Sequence, residues 1–352
     1  MKRSGYLETA VFRHSGREAM NLQTIPHGFP LSARQFEGKT HRESKIEHNL
    51  AGRVQNGYVP HMRAFKQVDV FTAVPYRGNP VAVVMDGAGL EDEEMQRFAH
   101  WTNLSETTFI LPPSDPQADY RVRIFTPGAE LPFAGHPTIG TCHAWLEAGG
   151  APASEDKIVQ ECGVGLVTLR RSGGRLAFAA PPLIRGGPVD ESDIEKVCRV
   201  LRVERSAILD AQWADNGPGW IAVKLADAQE VLAIEPDFGA VESYDIGVVG
   251  PSPVGVVGSR QQAAGGPSSD TPAIEVRAFF RAGGQAAEDP VTGSLNAALA
   301  QWLLGSGELT APYVAAQGTA LGRDGRVYVD QADGEIWIGG DAVTCVNGKV
   351  KL

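Results

Sequence analysis

The sequence predicts a strand-rich chain with a few helices, built as two similar halves. Short alternating or apolar runs are punctuated by turn residues, with 41 Gly and 23 Pro among 352 residues. That composition suits turn-connected strands better than a helical bundle. A block of strand, loop and proline-led helix also occurs twice. Hydrophobic residues at 43% and charged residues at 21% are ordinary for a globular chain, and the length is enough for two domains with a sizeable core.

Residues 1–61 stand apart, holding five of the eight histidines and nine Lys/Arg against five Asp/Glu. They show no sustained helical or alternating period, so they are expected to be disordered. A clean strand pattern begins only after Met62, at Phe65-Lys66-Gln67-Val68-Asp69-Val70-Phe71. Met62 is accordingly the expected biological start, with 1–61 an upstream extension or non-native segment. A transit peptide is the functional alternative, weakened by the five glutamates.

The elements then follow in order. Val81–Met85 is an apolar run behind the turn Arg77-Gly78-Asn79-Pro80. Met95, Phe98, Ala99 and Thr102 recur at helical spacing after the acidic first turn Glu91–Glu94. Phe109–Leu111 and Tyr120–Phe125 read as strands. A helix follows Pro137, with Ile139, Cys142, Trp145 and Leu146 on one face, and Gly149-Gly150 stops it. Val164–Leu169 and Arg175–Ala180 alternate, and Pro181-Pro182 with Gly186-Gly187-Pro188 then mark a linker. The second half opens with a helix near Ile194, Val197, Cys198 and Leu201. Strands are predicted at Trp220–Leu225, Val254–Gly258 and Ile274–Phe280, and Ala263–Pro272 is expected to be a mobile surface loop. A helix after Pro290 presents Leu295, Ala298, Leu299, Trp302 and Leu303 on one side and ends at Gly305.

The bulk numbers exclude several functions. A net charge of −10 leaves no basic surplus to neutralise phosphates, which argues against nucleic acid as a partner. No apolar run approaches the ~20 residues of a membrane span, and no basic start leads into an apolar secretory segment. The expected location is the cytoplasm. Cys142, Cys162, Cys198 and Cys345 are scattered, without a Cys-x-x-Cys pair or a nearby His at zinc spacing, so no metal site is expected.

The repeat places the chemistry. Val122-Arg123-Ile124-Phe125 precedes His136-Pro137-Thr138-Ile139-Gly140-Thr141. Val276-Arg277-Ala278-Phe279 precedes Asp289-Pro290-Val291-Thr292-Gly293-Ser294. Proline is tolerated in the first helical turn, and the N–H groups there are unpaired donors able to hold an anion. Two such starts facing each other would form a cleft for a carboxylate-bearing ligand, flanked by His136 and Asp289. The plainer reading is two well-started core helices. Glu106 lies between a helix end and an apolar strand. Such a residue is ordinarily solvated, but the neighbouring hydroxyls also fit an oriented, enclosed carboxyl.

The ordered set Asp69-Val70-Phe71-Thr72, Gly78-Asn79-Pro80, Asn103-Leu104-Ser105-Glu106-Thr107-Thr108-Phe109, Gly135-His136-Pro137-Thr138 and Glu288-Asp289-Pro290-Val291-Thr292-Gly293-Ser294 resembles the PhzF phenazine-biosynthesis family, over residues 62–352. The resemblance implies an α+β, diaminopimelate-epimerase-like fold. Two pseudo-symmetric domains, 62–182 and 183–352, would each wrap a β-barrel-like sheet around a central helix, and the last strand would be free to pack on the first domain. It further implies a cofactor-independent isomerase that moves a proton and a double bond in a small carboxylate-bearing substrate, as a trans-2,3-dihydro-3-hydroxyanthranilate isomerase does. Glu106 matches the general acid/base, and His136 and Asp289 match the residues flanking the cleft. Gly135, Thr138, Gly293 and Ser294 match the substrate-holding helix starts. A homodimer is implied, and no cofactor or metal. A non-catalytic small-molecule-binding protein on the same fold is the alternative.

Overall fold

A computed structural model describes residues 61–240, 244–252, 270–282 and 285–352. The expectations for residues 1–60, for the strand 254–258 and for most of the loop 263–272 lie outside the described residues.

The first set of strands is β1 (Met62–Val70), β2 (Asn79–Val84), β3 (Glu106–Leu111), β4 (Tyr120–Phe125), β5 (Glu130–Leu131), β6 (Lys157–Cys162), β7 (Gly165–Ser172) and β8 (Arg175–Ala179). The second is β9 (Arg185–Pro188), β10 (Asp210–Asp215), β11 (Trp220–Lys224), β12 (Asp245–Pro251), β13 (Ile274–Ala282), β14 (Gln285–Asp289), β15 (Tyr313–Gln317), β16 (Gly325–Ala332), β17 (Glu335–Gly340) and β18 (Ala342–Lys351). The helices are α1 (Asp92–Thr102), α2 (Gly135–Glu147), α3 (Glu191–Leu201), α4 (Ala228–Ala233) and α5 (Gly293–Gly305).

One pairing scheme is used twice. β1 and β2 are antiparallel, β2 and β3 parallel, β3, β4 and β5 antiparallel, and β4 runs parallel to β6. The same sequence of pairings joins β10, β11, β12, β13, β14 and β15. β8 pairs with β17 and joins the two sheets. The flanking strands are exchanged: β18 pairs with β1, and β9 with β10. Gly186-Gly187-Pro188, read as linker in the sequence, is therefore part of a strand. Glycine and proline are tolerated there because β9 is short and, among the described strands, pairs only with β10.

Side chains confirm the equivalence. Arg123 grips Glu130 through Nε and Nη2 at 2.7 and 2.6 Å, and Arg277 grips Glu288 through the same atoms at 2.9 and 2.8 Å. Each guanidinium also lies over a ring two residues on, Phe125 or Phe279. Asp69 at the end of β1 takes the N–H groups of Arg77 and Gly78, and Asp215 at the end of β10 takes those of Gly217 and Gly219. These turns are fixed by short carboxylate–amide bonds of the charge-assisted kind.

A continuous core surrounds the central helices: Ile139, Cys142 and Ala144 of α2, and Leu295, Leu299 and Leu303 of α5, are buried among inward-facing strand residues. α3 and α4 cover the outer face of the second sheet, and α1 covers that of the first. The acidic start predicted for α1 is present as a capping box between Glu91 and Glu94.

The proline repeat read from the sequence is out of register with this fold. Phe125 pairs with Glu130 as Phe279 pairs with Glu288, and Ile124 with Leu131 as Ala278 with Asp289. Both central helices then start five residues after those glutamates. Pro132 is thus the partner of Pro290, Gly135 of Gly293, His136 of Ser294 and Leu131 of Asp289. Pro137 sits inside the first turn of α2, whereas Pro290 lies two residues before Thr292, the residue that caps α5. His136 and Asp289 are not symmetry mates; they come from different levels of the two halves.

Candidate active site

The two helix starts meet through their glycines. A methyl group on Gly135 would stand 3.2 Å from the Cα of Gly293 and 2.7 Å from the ring of Phe178; one on Gly293 would stand 3.1 Å from the Cα of Gly135. Only residues without a Cβ permit this approach. Neither Ala134 nor Thr292, the residues that precede the helices, caps its helix with a side chain. The first-turn N–H groups, which have no partner within a helix, therefore remain as donors at the positive ends of two dipoles.

Glu106, His136 and Asp289 gather at this junction. Glu106 opens β3 and is held opposite Val81 in the parallel ladder. Its Oε2 lies 3.2 Å from His136 Nε2, and each of these atoms is buried without a hydrogen-bond partner. On the other side of the imidazole, Asn79 Nδ2 stands 3.4 Å from His136 Nδ1. The same amide donates to Asp289 Oδ1 at 2.8 Å and to the Val291 carbonyl at 2.9 Å. The Thr292 hydroxyl donates to Asp289 Oδ2 at 2.6 Å. Gln317 braces the group from behind, donating to the Thr292 hydroxyl and the Asp289 carbonyl while accepting from Thr292 N–H and from Asn296.

Burial sets the protonation states. It pushes Glu106 up to about 8, and the nearby Asp289 charge pushes the same way. It pushes His136 down to about 3, against a hydrogen bond to the Pro80 backbone. With its ring proton turned toward Pro80, neutral His136 presents Nε2 as a lone pair to Glu106. Asp289 rises to about 6 through burial, restrained by its bonds from Thr292 and Asn79. At neutral pH the centre of the pair is a carboxylic acid beside a neutral imidazole.

The other predicted residues divide. Ser294 Oγ accepts from Trp220 Nε1 at 3.1 Å, next to the Gly293 start. Thr138 is fully buried and its hydroxyl accepts from Gln160 in the core, so it supports the helix start from behind rather than facing Glu106. Asn79, Thr292 and Gln317 were missed as site residues. Asn79 had a signal, since it directly precedes a proline at a strand start; nothing in the local sequence singles out Gln317. A cavity of about 940 Å³ lies elsewhere, lined by Arg170, Arg175, Lys224 and Trp337. Its cations are paired with Asp330, Asp341 and Glu308, and it contains none of the residues above.

With this geometry in place, comparison with known proteins is informative. Residues 68–348 match the model of the family described as phenazine biosynthesis-like protein, PhzC-PhzF. The chain belongs to that family. The antisense-enhancing sequence 1 protein of Schizosaccharomyces pombe is 36% identical over 303 residues, covering 81% of this chain and 98% of the relative. The trans-2,3-dihydro-3-hydroxyanthranilate isomerase of Pseudomonas aeruginosa is 36% identical over 184 residues, covering 51% of this chain and 63% of that enzyme. Among solved structures, a PhzF-family protein from Bacillus anthracis matches with a TM-score of 0.67 and 23% identity over 83% of this chain and all of that one. These likenesses, with the repeated sheets around α2 and α5, show the diaminopimelate-epimerase-like fold.

Proposed function

We propose that this PhzF-family protein is a cofactor-independent isomerase that moves a proton between two carbons of a small, conjugated, carboxylate-bearing molecule, shifting a double bond. The observation carrying this reading is the enclosed Glu106–His136 pair, two partnerless polar atoms 3.2 Å apart beside two uncapped helix starts.

The substrate carboxylate sits at the first-turn N–H groups around Gly135, Gly293 and Ser294, whose dipoles favour an anion. Glu106, as its carboxylate, takes a proton from one carbon; the electron pair of that C–H bond moves the double bond, and Glu106 returns the proton at the other carbon. A group doing such work is most effective with a pKa near the working pH, which burial gives Glu106 at about 8. Neutral His136 accepts a hydrogen bond through Nε2, from Glu106 in its acid form or from a substrate hydroxyl. Asp289 orients a donor on the substrate. The name of the Pseudomonas enzyme supplies the nearest chemistry, a dihydro-hydroxyanthranilate.

The test is incorporation of solvent deuterium into that compound and related cyclic carboxylates. Wild-type protein is expected to exchange label at carbon, and Glu106→Gln to lose about 10²–10⁴-fold. Binding without exchange would make the protein a non-catalytic binder, and undiminished turnover in the variant would remove Glu106 from the mechanism. The same reading includes two domains, 62–182 and 183–352, assembled in a cytoplasmic homodimer; sedimentation equilibrium tests the dimer.

A further inference from the structure

The duplicated sheet assigns Glu106 a counterpart. Glu106 opens β3 opposite Val81 of β2, and Asp245 opens β12 opposite Trp220 of β11, at the same step of the same parallel ladder. The next residues agree: Thr107 pairs with Phe125 as Ile246 pairs with Phe279. Strand alternation then fixes the direction of the side chain. Ile246 and Val248 enter the outer core layer, while Gly247 faces α5 so closely that a methyl group there would stand 2.3 Å from Leu295. Asp245 shares the face of Gly247, one step nearer the start of α5. Glu106 likewise shares a face with Thr108, which bonds Thr141 of α2.

We propose that Asp245 is a specificity-determining residue of the site, presenting a negative charge to the ligand from the second half and thereby admitting monocarboxylates in preference to dicarboxylates. This rests on the reading that a carboxylate binds at the paired helix starts. A ligand anchored there spans from the Glu106 wall toward the wall that carries Asp245, Asp289 and, behind them, Asp215.

The electrostatics agree. Burial and the neighbouring Asp215 push Asp245 up, opposed by the Arg281 N–H that it accepts at 3.3 Å. Asp245 in turn raises Asp289, whose other neighbours are Glu288, Asn79 and Thr292. Like charges already strain this wall, so a second ligand carboxylate placed against it is disfavoured, whereas a neutral or donor-bearing end is not. The first half offers no such barrier, because Glu106 is protonated and His136 neutral at pH 7.

The probes are benzoate and benzene-1,3-dicarboxylate, titrated into the full chain and followed by protein-detected NMR. At pH 7, where Glu106 is protonated while Asp245 and Asp289 are ionised, the wild type is expected to bind benzoate more tightly. Asp245→Asn should narrow the ratio of dissociation constants about tenfold, chiefly by improving the dicarboxylate. Lowering the wild type to pH 5, where Asp245 and Asp289 take up protons, should narrow it as well; this arm needs no variant to fold. A ratio unchanged by both manoeuvres overturns the proposal, as does failure of benzoate to bind or tighter binding of the dicarboxylate by the wild type. Deuterium exchange by the wild type is read separately, so loss of the isomerase reading leaves this result interpretable.

Discussion

At Glu106 the fold spends stability on chemistry. Burial raises this carboxyl from its ordinary 4.5 to about 8, so the folded state favours the acid form more than the unfolded state does. The resulting stability is complete below about pH 4.5, drains away as pH rises, and is lost once pH passes the folded value. A tenfold change in proton affinity is worth ~1.4 kcal/mol. Glu106→Gln, which cannot ionise, is therefore expected to melt near the wild-type temperature at pH 4.5 and above it at pH 9; equal melting temperatures at both would contradict the burial. His136 works in the opposite sense. Burial lowers it from 6.5 to about 3, so its stability is present above 6.5 and lost as pH falls toward 3. The catalytic profile follows from the same group. Because Glu106 must begin as carboxylate, kcat/KM for exchange should climb about tenfold per pH unit below 8 and level off above it; a profile flat between 6 and 9 would assign the base elsewhere.

Secondary-structure elements place these residues, and here the sequence was legible in part. Tyr120–Phe125 was read as a strand and forms β4 with those ends. α2 and α5 were read from apolar spacing and Gly stops, which are local signals. β14 and β15 were not, because they are short and their own residues show no clean period, and β15 also relies on a parallel partner, β13, that is not its neighbour in the chain. The repeat was visible, yet its register was misread because Pro137 competes with Pro132 as the mate of Pro290; only the Phe125–Glu130 and Phe279–Glu288 pairs decide it. Glu106, His136 and Asp289 were named from their motifs and gather at one junction, whereas the role of Asn79 in linking the last two, hinted at only by the proline after it, takes their packing to see. The meeting of the helix starts gives an element-scale prediction. Gly135→Ala, with its new methyl 2.7 Å from Phe178 and 3.2 Å from Gly293, should cost about 1–3 kcal/mol of stability by overpacking and weaken carboxylate binding by parting the N–H groups. Thermal melts and probe titration check both parts.

Over the whole molecule, the exchanged flanking strands hold the repeat together. β18 pairs with β1 along nearly its full length, from Val70–Ala342 to Met62–Lys351. Thr344 and Lys66 converge on Glu147 at the end of α2. Ending the chain at Asp341 would leave β1 with one free edge and remove a wall of α2. Such a variant should aggregate or melt more than about 5 °C lower, with Glu335→Gln, at the exposed start of β17, as a control close to wild type.

The last point concerns time rather than energy. On the ribosome, the first sheet emerges early but waits for β18, which is synthesised after nearly all of the described chain. Until then β1 keeps a bare edge, and the Glu106 wall is assembled before its flank arrives. Completion of the first sheet is thus tied to synthesis of Ala342–Lys351, and nascent chains stalled before Ala342 are the species that chaperones have to shield.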